Sequence, residues 1–223
     1  MLGILFALGA LICWTIGDFF IQRTSRMLGI WKALFFVSLF GMIALYPFIS
    51  NDLPQVMTEE RKILLLTLAG VVTVFAALFN FEALKEGKFA IVEPIFGIEL
   101  PITVGLSVYF LNEALSLAQI FFISMIFMGI VLAITIHIKH LHYHKRILEK
   151  GVILAGIGSV GMALTNFLTG VSSQEISPLM TLWFVNVILT IVCLLYIIMQ
   201  GKVETLVQDI RKHTKAILAV CIF

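Results

Sequence analysis

Charged residues are scarce in this chain of 223 residues, at 13% of the total, whereas hydrophobic residues make up 61%. Soluble domains usually carry about 25% charged and about 45–50% apolar residues. The apolar excess recurs along the whole chain as continuous runs, without the alternation typical of barrel strands. Because lipid admits only helices and closed barrels, the sequence predicts an all-α polytopic membrane protein.

Cysteine and the motifs of common enzymes are also rare or missing. The three cysteines, Cys13, Cys193 and Cys221, lie in apolar stretches, which favours small buried side chains over a disulfide framework or a metal site. The sequence contains no phosphate-binding glycine loop, Gly-x-Ser-x-Gly elbow or His-Glu-x-x-His pair. We therefore expect no catalytic residue, no cofactor, no metal and no nucleic-acid partner.

Seven apolar segments are long enough to span a bilayer, for which about 20 residues are needed. An eighth begins near Lys215 and reaches Phe223 after too few residues to span, so we expect the chain to stop inside a helix. The seven predicted spans are residues 2–22, 30–50, 62–84, 88–111, 117–138, 151–173 and 177–199.

The basic residues predict the orientation. Thirteen of the fifteen lysines and arginines fall in the connections on one side of the predicted bundle, and only Arg61 and Lys62 fall on the side of the N-terminus. The positive-inside rule then predicts an N-terminus outside the cell, in a multi-pass protein of the cell (inner) membrane.

Spans six and seven resemble a second copy of spans one and two. When the sequence is aligned with itself at an offset of 148 residues, Asp18 pairs with Asn166 and Ser25 with Ser173, and several apolar residues also match. Five spans separate the copies, and an odd number inverts the second copy, as in many secondary transporters. The sequence predicts a first five-helix repeat at 1–138, a basic histidine-rich cytoplasmic linker at 139–150 and an incomplete second repeat at 151–223. The linker could instead bind a metal, which we consider the weaker hypothesis.

The fourth span contains two glutamates and two prolines, in FAIVEPIFGIELPITV. A carboxylate inside a bilayer is costly, and each proline removes a helical hydrogen bond. Glu93 and Glu99 are about 120° apart around an uninterrupted helix, so we expect them on different faces. Residues 97, 101 and 105 are spaced by four and therefore lie on one ridge of the helix, where small residues let another helix approach closely. Four residues are the predicted hinge or packing positions: Pro94, Pro101, Gly97 and Gly105.

Several motifs, in order, resemble the EamA-type members of the drug/metabolite transporter superfamily. They are Trp14 in the first span, Ala83-Leu84, Glu99-Leu100-Pro101, the stretch from Leu111 to Ser116, and Gly129. The resemblance implies two inverted five-helix repeats and transport of a small metabolite, such as an amino acid, a sugar-related compound or a drug-like compound. The related small multidrug exporters carry a glutamate where Trp14 stands, so their proton-coupled exchange is not carried over.

The residues and the resemblance together predict a secondary transporter that works by alternating access, as an exporter rather than an importer. The alternative is a non-transporting membrane scaffold or an intramembrane enzyme. The expected partners are the solute and the lipid bilayer, while a coupling ion such as the proton and a homodimer are left open. For Glu82 we favour a local pair with Lys85. The candidate substrate-pathway residues are Glu99, Glu93, Asp18, Asn166, Asn80, Trp14 and Tyr109.

Overall fold

The computed structural model describes residues 2–139 and 145–222, and in this part of the chain all regular structure is helical. The ten helices are α1 (Leu2–Leu28), α2 (Ile30–Ile49), α3 (Leu53–Val56), α4 (Glu60–Glu86), α5 (Phe89–Phe96), α6 (Glu99–Leu111), α7 (Leu117–Lys139), α8 (Lys145–Glu175), α9 (Pro178–Met199) and α10 (Val203–Ile222). The predicted all-α class is therefore confirmed.

Five segments of the described chain are long and apolar enough to cross a membrane. They are Ile30–Ile49, Glu60–Glu86, Phe89–Leu111, Lys150–Glu175 and Pro178–Met199. Leu117–Leu132 forms a shorter apolar helix, and α1 is not among the five. The multi-pass character is confirmed, whereas the count of seven spans stays a prediction.

Local sequence signals explain several helix ends. At the start of α7, the Ser116 backbone N–H donates to Gln119 Oε1 at 2.8 Å, and the Gln119 N–H donates to Ser116 Oγ at 3.3 Å. This reciprocal pair is a capping box. Pro178 occupies the first turn of α9, where its missing N–H removes no helical hydrogen bond.

Three helix boundaries differ from the predicted ones. α8 begins at Lys145, within the predicted linker, rather than at residue 151. α1 continues past residue 22 to Leu28, because the buried Gln22 and the side chain of Arg26 find main-chain acceptors on α4 and at Gly87. α10 begins at Val203 rather than near Lys215, and His213 has non-helical backbone angles within it. The histidines at 140, 142 and 144, in the predicted linker, lie outside the described residues.

The centre of the bundle is the contact between α4 and α8, and α2 packs mainly against α9. Small residues permit the close α4–α8 approach: an added Cβ on Gly161 would lie 2.9 Å from the Ala76 Cβ. Near the end of the same interface, a Cβ on Gly151 would lie 2.7 Å from the Gly87 Cα. Packing of small residues is a main source of helix association in lipid.

Candidate functional site: a carboxyl cluster at the turn in the fourth span

The fourth predicted span is interrupted at Gly97 and Ile98, between α5 and α6. Pro101 has no N–H, so the Gly97 carbonyl lacks its usual helical donor and accepts instead from the Leu100 N–H at 3.3 Å. The Ile98 N–H likewise donates to the Ile95 carbonyl three residues back, at 3.0 Å. The span therefore contains a tightened turn that places Glu99 in the first turn of a new helix, α6.

Hydroxyl groups supply polar partners beside this turn. Ser159 of α8 is fully buried, and its Oγ lies 3.0 Å from the Ile95 carbonyl oxygen and 2.7 Å from that of Ala155. The Thr103 Oγ1 lies 2.8 Å from the Glu99 carbonyl oxygen. Irregular backbone at membrane depth is tolerated where neighbouring helices satisfy its polar groups, and α8 does so here.

Three carboxyl groups from two predicted spans meet at the turn. Asp18 of α1 is buried, and its carboxyl group lies beside that of Glu93 of α5. Glu99 interacts electrostatically with both Asp18 and Glu93. The side-chain amide of Asn166 of α8 lies beside Glu99. We call these four residues the carboxyl cluster.

The cluster has unused hydrogen-bonding capacity, and no ion pair with a lysine or arginine of the described chain. Glu93 Oε2 is buried without a hydrogen-bond partner. Among the ion pairs of the described residues, none involves Asp18, Glu93 or Glu99. Carboxyl groups in contact repel one another when ionised, and a proton or a bound cationic group relieves that repulsion. The arrangement is thus suited to binding positive charge.

A cavity of about 350 Å³ lies beside Asp18, between α1, α2 and α10. It brings Trp14 and Asp18, two of the predicted pathway residues, to one space. Trp14 is largely exposed, so its ring is free to contact a molecule that reaches Asp18. The cavity is lined by Ala10, Cys13, Trp14, Gly17, Asp18, Ile21, Val37 and Val220.

Comparison with known proteins identifies the family. Residues 1–135, more than half of the 223-residue chain, match the EamA-like transporter family. The chain belongs to this family. It is also 36% identical over 77 residues to an uncharacterized protein of Methanocaldococcus jannaschii, a match covering 34% of this chain and 56% of the relative. No solved structure is significantly similar to the chain.

Membership of the EamA-like family confirms the resemblance inferred from the motifs, all of which lie within the matched residues. The match spans little more than half the length of the curated relative. Residues 136–223 lie outside the family match, so the predicted inverted second repeat stays a prediction.

The structure corrects the predicted separation of Glu93 and Glu99. That separation assumed an uninterrupted helix, whereas the turn at Gly97–Ile98 changes the rotation between them. Both glutamates interact with Asp18 and belong to one cluster of this EamA-like chain. Lys85, a lysine near Glu93 in sequence, pairs with Glu82 and Glu86, each at 3.6 Å. The predicted local pair of Glu82 with Lys85 is confirmed.

Other predicted positions lie apart from the cluster. Tyr109 is 77% exposed and contacts Phe110 edge-on, about 15 Å along α6 from Glu99 at 1.5 Å per residue. No described atom lies within 4 Å of a Cβ built on Gly105, so the expected close helix approach at that position is not formed. Gly97 does face a neighbour, with the Ile130 Cδ1 of α7 at 3.1 Å from its built Cβ.

Asn80 of α4 packs against Gly158 of α8, and its Oδ1 is buried without a hydrogen-bond partner. An unpaired buried acceptor costs about 1–3 kcal/mol, so Asn80 is a candidate ligand for a water molecule or a polar solute group. The next residue on α8 is Ser159, which contacts the turn in the fourth span. The position of Asn80 near this turn is consistent with the prediction that it lines the substrate pathway.

Sequence reasoning missed Ser159, Gln22 and Arg26. The Gln22 Nε2 donates to the Leu84 carbonyl at 2.8 Å, and the Arg26 Nε donates to the Lys85 carbonyl at 2.9 Å. These side chains satisfy carbonyls at the end of α4 that a helix leaves unpaired. For Gln22 the sequence did offer a signal, because a glutamine inside an apolar run requires a polar partner.

Proposed function

We propose that this EamA-like chain is a secondary transporter of small solutes that carry a protonated amino group, and that it acts as an exporter in the inner membrane. The observation that carries the proposal is the meeting of Asp18, Glu93 and Glu99 at the turn in the fourth span. Amino acids and amine-bearing drug-like compounds have the required positive group. Uncharged sugars do not.

Electrostatics supports binding of a cation at the cluster. Two unit charges about 4 Å apart interact with about 4 kcal/mol at an effective dielectric constant near 20. An ammonium group between Glu93 and Glu99 would replace repulsion by attraction of this order. The free Oε2 atom of Glu93 offers a hydrogen-bond acceptor for one of its protons.

The surroundings of the cluster supply access and movement. The cavity beside Asp18 and Trp14 gives a solute a route to the carboxyl groups, and the Trp14 ring can stack on its cationic or apolar part. Pro94 and Pro101 flank the tightened turn, where the helical hydrogen bonds are already interrupted. Discontinuous helices at the binding site are typical of transporters that alternate access by rocking.

The same carboxyl groups can carry a proton in place of the solute. Because Asp18 and Glu93 lie beside each other, the pair can take up one proton. Release of that proton on one side and binding of the solute on the other would couple the two movements. Solute and proton would then compete for one site.

Flux into proteoliposomes tests the proposal. Purified protein is reconstituted and assayed with radiolabelled amino acids, amines and neutral sugars, beside Asp18→Asn, Glu99→Gln and the control Glu204→Gln. Glu204 is an exposed acidic residue in the first turn of α10. We expect amine-dependent flux in the parent and the control, and at least a tenfold loss in the two cluster variants.

Two results would refute the proposal. If the parent moved no solute of the panel, the membrane scaffold or intramembrane enzyme would become the better hypothesis. If Asp18→Asn and Glu99→Gln, both still folded by thermal denaturation, transported amines like the parent, the cluster would not be the site.

A further inference from the structure

A second cavity, of about 530 Å³, lies between α1 and α10 at the end of the bundle that the lysine and arginine bias assigns to the cytoplasm. We call it the basic pocket. Its lining combines four lysine and arginine side chains with apolar and small ones. The lining residues are Phe20, Arg23, Met27, Arg211, Lys212, His213, Thr214, Lys215, Ala216 and Ala219.

The four cations of the basic pocket have no acidic partner among the described residues. Ion pairs elsewhere in the described chain neutralise other lysines and arginines, such as Lys32 with Asp209 and Arg61 with Glu175. Arg23, Arg211, Lys212 and Lys215 form none. Like charges around one cavity repel, and a bound anion removes that repulsion.

The backbone of α10 brings these cations together. Six consecutive residues, 211–216, line the basic pocket, whereas six consecutive residues of a straight helix point all around its axis. The non-helical angles of His213, φ −123° and ψ 24°, interrupt the helix in the middle of this segment. The interruption thus turns successive side chains towards one space, which a regular helix could not do.

We propose that the basic pocket binds the phosphate of an anionic phospholipid, with the headgroup among Arg23, Arg211, Lys212 and Lys215. Arginine and lysine are the usual donors to phosphate oxygens. The apolar side chains of Phe20, Met27 and Ala219 in the same cavity provide contacts for the glycerol and the first acyl carbons. A free phosphate ion would leave these apolar contacts unused, whereas a lipid uses both parts of the lining.

The position of the basic pocket on the protein agrees with a lipid ligand. On α1, Arg23 and Met27 follow the predicted first span, and on α10 the apolar run begins at Ala216, directly after Lys215. The cations therefore lie where the apolar segments end, at the depth of lipid headgroups. A bound lipid would join α1, which carries Asp18, to α10.

Energy transfer from tryptophan to pyrene-labelled lipids tests the proposal, with the full chain in dodecylmaltoside micelles. Pyrene phosphatidylglycerol is titrated at low salt and compared with pyrene phosphatidylcholine. The test variant is Lys212→Gln/Lys215→Gln. The control, Lys88→Gln/Lys202→Gln, removes two exposed lysines predicted on the same side but outside the basic pocket. A further arm adds inorganic phosphate as a competitor.

We expect tighter binding of phosphatidylglycerol than of phosphatidylcholine, and about a fivefold weakening for each charge removed from the basic pocket, hence about 25-fold in the test variant. The control variant should change the affinity less than twofold. Equal affinity for the two lipids, or equal weakening in both variants, would overturn the proposal. Displacement of the lipid by millimolar inorganic phosphate would assign the basic pocket to a free phosphate-bearing solute instead.

Discussion

Ser159 of α8 holds the main-chain carbonyl of Ile95 at a distance of 3.0 Å, across the contact between two helices and at the turn that precedes Glu99. A single hydroxyl proton serves both this carbonyl and that of Ala155 in its own helix. The contact ties the interrupted fourth span to α8, which also carries Asn166. The geometry of the carboxyl cluster therefore depends on α8 as well as on the prolines of the span.

Ser159→Ala should loosen the turn. The Ile95 carbonyl would keep only local main-chain donors at the turn, the N–H groups of Gly97 and Ile98. We expect a loss of about 1 kcal/mol, seen as a fall in the midpoint of thermal denaturation. Ser124→Ala is the matched control, because Ser124 is exposed and bonds only the Ile120 carbonyl in its own helix. An equal fall in both variants would show that the contact between helices contributes nothing.

Gly151→Ala and Gly156→Ala should have opposite effects, although both glycines lie in α8. At Gly151 the new Cβ would lie 2.7 Å from the Gly87 backbone, which cannot move aside cheaply, so we expect a loss of about 1–3 kcal/mol. At Gly156 no described atom lies within 4 Å of the new Cβ. Alanine there should stabilise by about 0.5–1 kcal/mol through helix propensity. Thermal denaturation in detergent measures both, and similar midpoints would contradict the close α4–α8 contact.

Asn166→Ala should impair the carboxyl cluster by removing the polar amide that lies beside Glu99. Hydrogen bonds to charged groups contribute about 1.5–3 kcal/mol, so we expect amine flux to fall at least about tenfold. In the control Asn186→Ala, the lost bond is to the Leu182 carbonyl of the same helix, and flux should stay near that of the parent. Unchanged flux in Asn166→Ala would show that Asn166 does not take part in transport.

Lys32→Met should release α10 from α2. Lys32 pairs with Asp209 and also donates to the Thr205 Oγ1, and both members of the ion pair are mostly shielded from solvent. Removing the lysine leaves a shielded carboxylate unpaired, at a cost of about 1–3 kcal/mol. We expect faster tryptic cleavage within α10. Lys62→Met is the control, since its pair with Glu59 is more exposed and local, and equal cleavage of both variants would refute the role of the pair.

Alkaline phosphatase fusions should report the orientation, because the enzyme is active only outside the cytoplasm. We expect activity after a fusion at Asp52 and none after a fusion at Lys88, as the lysine and arginine bias predicts. The reverse pattern would place the N-terminus in the cytoplasm and move the basic pocket to the outer side.

Much of the candidate site could be named from the sequence but not assembled from it. A carboxylate in an apolar run is conspicuous because lipid penalises it, so Asp18, Glu93 and Glu99 stand out directly. Their meeting depends on how α1 and the fourth span are rotated, and spans that are apolar on every side carry little pattern that sets this rotation. The sequence does not single out Ser159 either, because serine is common at helix contacts in membranes.

The sequence by itself determined the class of the protein and most helix ends. Composition excludes a soluble fold, and local signals such as the capping box at Ser116 and Gln119 act within one turn, without reference to the rest of the chain. The tertiary structure alone decided that three carboxyl groups meet beside the turn in the fourth span, and that the non-helical angles of α10 at His213 fall beside the basic pocket. These features arise from contacts between helices far apart in sequence, where close packing and the pairing of buried polar groups select one arrangement.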